Sequence, residues 1–174
     1  MKLFISHAHH DREAAANLVQ LLKLRKFDAW TAAEQLETGM DWKAGVAQAI
    51  SESDAFVFLV GLHSEEDRGQ QIEWQTALES DWDHEPARPM VPILLGEVRV
   101  PAFLTDRVVL HTGQAQEFPV DQIVHLLLHS EETRVPINYD LARQEQTRRL
   151  NTLKEFALSL KAASPRLESR SSSH

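Results

Sequence analysis

The side chains of this chain that could do chemistry together come from three separated segments. The first, Ser6-His7-Ala8-His9-His10-Asp11, carries a hydroxyl, imidazoles and a carboxylate. The second, Leu36-Glu37-Thr38-Gly39-Met40-Asp41-Trp42, ends on a carboxylate and an indole just after a glycine. The third, Gln71-Ile72-Glu73-Trp74-Gln75-Thr76-Ala77, contains Glu73. A lone carboxylate on a helix is ordinarily a solvated group. Held in a crevice, it can stabilise a cation that develops during bond cleavage. The histidines at positions 7, 9 and 10 invite a metal reading, but no histidine or acidic motif elsewhere completes a ligand set, so no metal is expected. The chain has no cysteine, which excludes thiolate catalysis, disulfide frameworks and zinc sites built on Cys.

The elements that must position these groups follow from hydrophobic periodicity. Phe4-Ile5 marks a short strand that breaks into the first polar loop. Asp11 is read as the N-cap of a helix in which Ala14, Leu18, Leu21, Leu22 and Leu24 recur at helical spacing. The basic end of that helix, Lys23-Leu24-Arg25-Lys26, suits the negative end of a helix dipole. Phe27-Asp28-Ala29-Trp30 reads as a second short strand at the sheet edge, and a polar loop through Gly39 leads to a helix carrying Trp42, Val46 and Ile50. Asp54 introduces the clearest strand, residues 55–60, whose unbroken apolar run fits burial on both faces of a parallel sheet. The helix around Glu73 shows Ile72, Ala77 and Leu78 on one side. Met90-Val91-Pro92-Ile93-Leu94-Leu95 is a fourth strand, with Pro92 marking its beginning or a bulge. Val108-Val109-Leu110 makes a fifth, and Val120 to Leu128 a last helix.

Strands alternating with helices of this size predict an α/β fold: a flavodoxin-like, doubly wound parallel sheet of five strands with right-handed crossovers. A length of 174 residues is about one domain, and 43% hydrophobic with 25% charged residues is ordinary for a globular chain. The wound core is assigned to residues 1–130 and an appended helical extension to residues 131–163. There Leu141, Leu150, Leu153, Phe156, Ala157 and Leu160 form an apolar stripe in a charged segment, the pattern of an amphipathic helix. It packs either on its own domain or on a partner; the first is favoured because a short Val135-Pro136 turn could fold it back. Residues 164–174, rich in Ser and Arg, read as a disordered tail. No apolar stretch approaches the roughly 20 residues of a membrane span. The chain enters its first strand without a charged-then-apolar leader, so a cytoplasmic location with no membrane partner is expected. A net charge of −8 argues against a nucleic-acid partner, though a helix N-terminus could still hold a small anion.

In their order along the chain, the segments quoted above resemble a TIR (Toll/interleukin-1 receptor) domain of the bacterial type over roughly the first 130 residues. The resemblance implies a strand order of 2-1-3-4-5, with the winding reversing between the first and third strands. Ligands of open α/β sheets settle at such a point, outside the carboxyl ends of the strands. The loops Ser6–Asp11 and Gly61–Arg68, the Leu36–Trp42 loop and Glu73 would then converge on one crevice. In enzymatic members of the family, the glutamate at the place of Glu73 cleaves nicotinamide from NAD. Breaking that N-glycosidic bond passes through an oxocarbenium-like ribose cation, which a neighbouring carboxylate stabilises. Nicotinamide in NAD already carries a positive charge and can leave without a general acid.

The resemblance also carries individual residues. Leu36, Gly39 and Asp41 match the loop that lines the nucleotide site in enzymatic relatives, and Gly39 could supply the positive φ that a tight loop requires. Trp42 is either an anchor for this loop or a wall for adenine or nicotinamide. Ser6 and His7 belong to the first loop, where Ser6 closes the strand end, and His9 stands where relatives use polar or basic residues near the phosphates. Ser64 is either a ribose or phosphate contact on the opposite lip or a helix-start residue. NAD is then the substrate, with no resident cofactor. One position departs from the family: many active relatives carry an aromatic four residues before the glutamate, and here that residue is Gly69. Either this segment is irregular, or the aromatic wall comes from Trp42 or another subunit.

The product, whether ADP-ribose, a cyclic isomer or a conjugate, depends on which nucleophile reaches the ribose carbon, and the sequence does not specify it. A stand-alone chain of this length resembles the signal-making component of anti-phage systems such as Thoeris, in which the product activates a separate effector protein. Self-association through TIR surfaces is also implied. Two other readings compete. One is a non-catalytic module that docks another TIR domain through the loop around Gly39; the other is a nucleoside-transferring enzyme of similar fold.

Overall fold

The computed structural model describes residues 1–35, 41–82 and 84–135, together with Asn151, Lys154 and Glu155, which have helical backbone. The rest of the extension expected over residues 136–163 and the tail 164–174 lie outside the described residues. Met1–Val135 form one compact unit. Within it Val108 N–H donates to Thr133 O and Val135 N–H to Asp106 O, which ties residues 133–135 to the segment before β5.

Five parallel strands, β1 (Lys2–Ser6), β2 (Asp28–Trp30), β3 (Ala55–Val60), β4 (Met90–Leu94) and β5 (Leu110–His111), lie in the order β2-β1-β3-β4-β5. This is the doubly wound sheet predicted, with its winding reversed between β1 and β3. The helices are α1 (Arg12–Leu24), α2 (Ala32–Gln35), α3 (Trp42–Ser51), α4 (Arg68–Asp81) and α5 (Val120–Leu128). Every residue of β3 is buried, as its unbroken apolar run requires. One face of the sheet, through Leu3, Ile5, Val57 and Leu59, packs on Leu18 and Leu22 of α1 and on Ile123 and Leu127 of α5. The other, through Phe4, Phe56 and Phe58, packs on Val46 and Ile50 of α3 and on Trp74 and Ala77 of α4. Fully burying one such side chain contributes about 1.5–3 kcal/mol.

Several local expectations shift. Pro92 stands inside β4 rather than at its start or in a bulge. Leu95 N–H donates to Val60 O, so strand alternation turns the nitrogen of Pro92 to the β5 side, where pairing begins only at Ile93. The missing N–H therefore breaks no ladder bond. The fifth strand is Leu110–His111, two residues later than Val108. Asp11 precedes α1 but makes no side-chain cap; a short 3-10 turn over His9–Asp11 leads into the helix instead. On α4, Trp74 joins Ala77 in the core, whereas Ile72 is only half-buried. Leu24, read as part of the apolar stripe of α1, is 79% exposed. The helix ends there in a reciprocal pair of bonds, Phe27 N–H to Leu22 O and Lys26 N–H to Lys23 O, with Lys26 at φ 66°. Glycine is the usual occupant of that left-handed position.

A buried ion pair, invisible to periodicity, closes the far end of α4. Arg88 is 5% exposed; its Nε lies 3.2 Å from Asp81 Oδ1, its Nη1 donates to Ile50 O and Ser53 O, and its Nη2 donates to Ser80 Oγ. The guanidinium also lies 4.7 Å above the Phe56 ring. One side chain thus ties the ends of α3 and α4 to the start of β4. Asp81→Ala leaves this cation buried without its counter-charge, and the expected loss in urea unfolding is about 3–5 kcal/mol. Removing the exposed Lys2–Glu52 pair by Lys2→Ala is expected to cost less than about 1 kcal/mol in the same assay.

Candidate active site

The candidate site lies where β1 and β3 end side by side. Ser6, the last residue of β1, pairs in register with Phe58 of β3 and is fully buried. Its hydroxyl donates to Glu73 Oε2 at 2.6 Å, joining residues 67 apart in sequence. Glu73 sits in the second turn of α4, only 6% exposed. Its neighbour Trp74 faces the sheet, edge-on to Phe58, and so fixes the rotation of α4 that brings Glu73 over Ser6. Burial pushes the Glu73 pKa from 4.5 up to about 8; the Ser6 hydrogen bond opposes this and the nearby Asp67 charge adds to it. At neutral pH the protonated carboxyl is therefore the favoured form.

Asp67 fastens the helix to the first loop. It is the N-cap of α4, where Oδ1 accepts from Gln70 N–H at 3.0 Å and Oδ2 from His9 N–H at 2.8 Å. Burial pulls its pKa up, but the bonds from the backbone N–H groups of Gln70, His9 and Gly69 outweigh that and hold it below the usual value. Asp67 therefore stays charged beside Glu73. Asp11 lies between the two loops, its pKa raised by burial against the opposing field of His7, His63 and His10. Its Oδ2 is buried without a hydrogen-bond partner. A Cβ on Gly61 would come within 2.3 Å of that oxygen, so a side chain at 61 would displace Asp11.

The other expected site residues divide. Asp41 caps α3, its side chain accepting from Lys43 N–H at 3.1 Å, and Trp42 opens that helix. The indole of Trp42 is 37% exposed and lies 3.7 Å from the place a Cβ would take on Gly69. Since α4 is regular from Arg68 to Asp81, the alternative of an irregular segment falls away, and Trp42 occupies the space beside Gly69. His7 is half-buried with Nδ1 2.8 Å from Ala8 O, and His9 is exposed at the mouth. Leu36 and Gly39 lie outside the described residues. Two of the expected site residues are buried. Ser64 is fully enclosed, its hydroxyl accepting from Gly61 N–H, so it closes the loop after β3. Ser6 is equally buried, and its hydroxyl is directed to Glu73. Among the described residues no three His, Asp or Glu side chains are arranged to hold a metal ion.

Sequence reasoning missed Asp67 and Gln70, although Asp67-Arg68-Gly69-Gln70 has the spacing of a helix-capping box. The Gln70 side chain departs from that motif and donates to Leu59 O at 2.7 Å, locking α4 to the end of β3.

The family model for the TIR domain matches residues 3–128. The chain belongs to the TIR-domain family. Among solved structures, the TIR domain of the Toll-related receptor TRR-2 of Hydra magnipapillata is similar at TM-score 0.55 and 18% identity, covering 74% of this chain and 92% of that one. A 2-deoxyribosyltransferase of Bacillus psychrosaccharolyticus matches at TM-score 0.48 and 14% identity, over 63% of this chain and 85% of that one. A search of curated proteins returned no significant match. At 18% identity, the likeness to the Hydra magnipapillata TIR domain shows the fold alone.

The raised pKa of Glu73 has a stability consequence in this TIR domain. The folded protein holds a proton there that the unfolded chain gives up, so stability declines as pH rises from 4.5 through about 8, by at most about 1.4 kcal/mol per pH unit. Glu73→Gln removes this dependence while keeping an acceptor for Ser6. In differential scanning fluorimetry, the melting-temperature advantage of the variant is expected to be small near pH 4.5 and to grow up to pH 8. A gap that stays constant would mean that Glu73 ionises as readily folded as unfolded.

Proposed function

We propose that this TIR domain cleaves NAD between nicotinamide and ribose, with Glu73 as the catalytic carboxylate. The observation that carries the reading is the buried Glu73 carboxyl, held by Ser6 at the reversal point of the sheet. Burial favours the protonated form of this group. A cationic nicotinamide ring brought beside it favours the ionised form, and the proton is released to solvent. The C1′–N bond then breaks, its electron pair passing to the nicotinamide nitrogen, and the carboxylate faces the ribose cation that forms. Water, an atom of the adenine moiety or another acceptor completes the reaction on the ribose carbon. Ser6 positions the carboxylate, and the exposed face of Trp42 provides a wall for a planar ring. His9 at the mouth lies toward the phosphates in this reading. The finer reading, that the product is a signal to a separate effector in bacterial anti-phage defence, rests on resemblance to Thoeris-type enzymes alone.

Purified protein incubated with NAD, with nicotinamide followed by chromatography, tests the activity. Glu73→Gln is expected to lower kcat at least about 100-fold, the scale of losing one preorganised electrostatic contact. Because the carboxylate is the working form, kcat/KM should rise with pH through about 8 and then level. For kcat the rise should come at lower pH, since bound NAD carries the cation. Near-parental nicotinamide release by the folded Gln variant would remove Glu73 from the mechanism, and a parent protein that releases no nicotinamide would favour the scaffold reading.

Trp42→Ala is expected to raise KM about tenfold with a smaller change in kcat, and Trp42→Phe to retain most affinity. Equal KM values in the three proteins would leave Trp42 as a loop anchor only.

A further inference from the structure

Away from Glu73, the outer side of α4 and the loop after β4 enclose a groove of about 690 Å³, a size typical of small-molecule sites. Trp74, Leu78 and Trp82 reach it from α4 and its C-cap at intervals of four residues, so they share one stripe of the helix. Phe103 closes it from the loop, its ring 5.0 Å from that of Trp74 and inclined at 52°. Trp74 is buried and forms the floor, whereas Trp82 is 87% exposed at the rim. An indole left in water beside a concave apolar surface marks a contact site.

The charge around this groove has one sign. Glu65 and Glu79 line it and are exposed, and no Lys, Arg or His lines it among the described residues. No ion pair among the described residues involves either acid. Glu79 accepts only from the neutral Gln75 amide, at 2.7 Å, so its charge is not cancelled. The faces of Trp82 and Phe103 present the negative side of their ring quadrupoles, and the two carboxylates add to that potential. Such a groove attracts cations and repels anions. Flat ring faces favour a flat ligand, and charge spread over rings sheds its water at less cost than a compact ammonium does.

We propose that this groove is a binding site for a planar aromatic cation, its rings lying on Trp82 and Phe103 and its charge facing Glu65 and Glu79. The site is separate from the one that holds Glu73 and Trp42, and its occupancy does not require NAD cleavage.

N-methylquinolinium titrated into the isotope-labelled full chain, without NAD, tests this by NMR, because each of the four tryptophans gives its own indole N–H signal. The Trp74 and Trp82 signals are expected to shift together and saturate while the Trp42 signal stays in place. Quinoline, which has the same rings and is neutral at pH 8, should bind about tenfold more weakly. Trp82→Ala, at an exposed position, should weaken binding of the cation about tenfold with an unchanged melting temperature. Glu65→Gln combined with Glu79→Gln should weaken it about fivefold and remove most of its salt dependence. Glu73→Gln and Trp42→Ala should leave it unchanged, which separates this groove from the candidate active site. The absence of a saturable shift at Trp82, or equal affinity for quinoline, would overturn the proposal. Binding that survives Trp82→Ala, or that is lost in Trp42→Ala, would do the same.

Discussion

The hydrogen bond from Ser6 to Glu73 spans the point where the sheet reverses its winding, and it holds only if β1, β3 and α4 keep one fixed separation. Three sets of contacts maintain that separation. The β1–β3 ladder places Ser6 opposite Phe58, Phe58 meets the edge of Trp74, and Gln70 ties α4 to the carbonyl of Leu59. Asp67 then draws the first loop down by accepting from His9 N–H. Moving any one of these by an ångström would bring water to the carboxyl or pull Ser6 away, and either change would alter its proton affinity.

Two acids a short distance apart on α4 are treated in opposite ways. Glu73 is surrounded by protein with one hydroxyl to accept from, so desolvation dominates and the neutral form is favoured. Asp67 is less enclosed and accepts from backbone N–H groups, so its charge is retained. Divergent environments for neighbouring carboxyls are characteristic of sites that handle charge, although structural networks produce them too. Keeping Glu73 buried is a destabilising choice above pH 4.5, and the rest of the sheet, including the Asp81–Arg88 clasp at the other end of α4, holds the helix in place despite it.

Small residues on the crevice wall matter here for the space they leave. Gly61 admits the Asp11 carboxylate against the end of β3, and Gly69 lies beneath the Trp42 indole. The second case accounts for the departure from the family pattern at position 69 in steric terms. A bulky ring on α4 and the indole at the start of α3 would compete for the same volume, and this chain places its aromatic on α3.

Much of the fold was legible because long segments have one consistent period. The run 55–60 fits a strand covered on both faces, and Val120–Leu128 reads as the last helix of the wound core. Element ends were less legible, since Pro92 and Val108 depend on where a neighbouring strand begins to pair. Of the site, Glu73 and its nearness to Ser6 followed from element order and resemblance, whereas the burial that raises its pKa did not. That burial, the inward turn of Ser64, the meeting of Trp42 with Gly69 and the Asp81–Arg88 clasp all arise from contacts between residues distant in sequence. The sequence by itself determined which segments become strands and helices, because periodicity is a local property. Only the tertiary structure decided which polar groups lose their water and which side chains share a volume, because desolvation and packing are set by neighbours that local sequence does not specify.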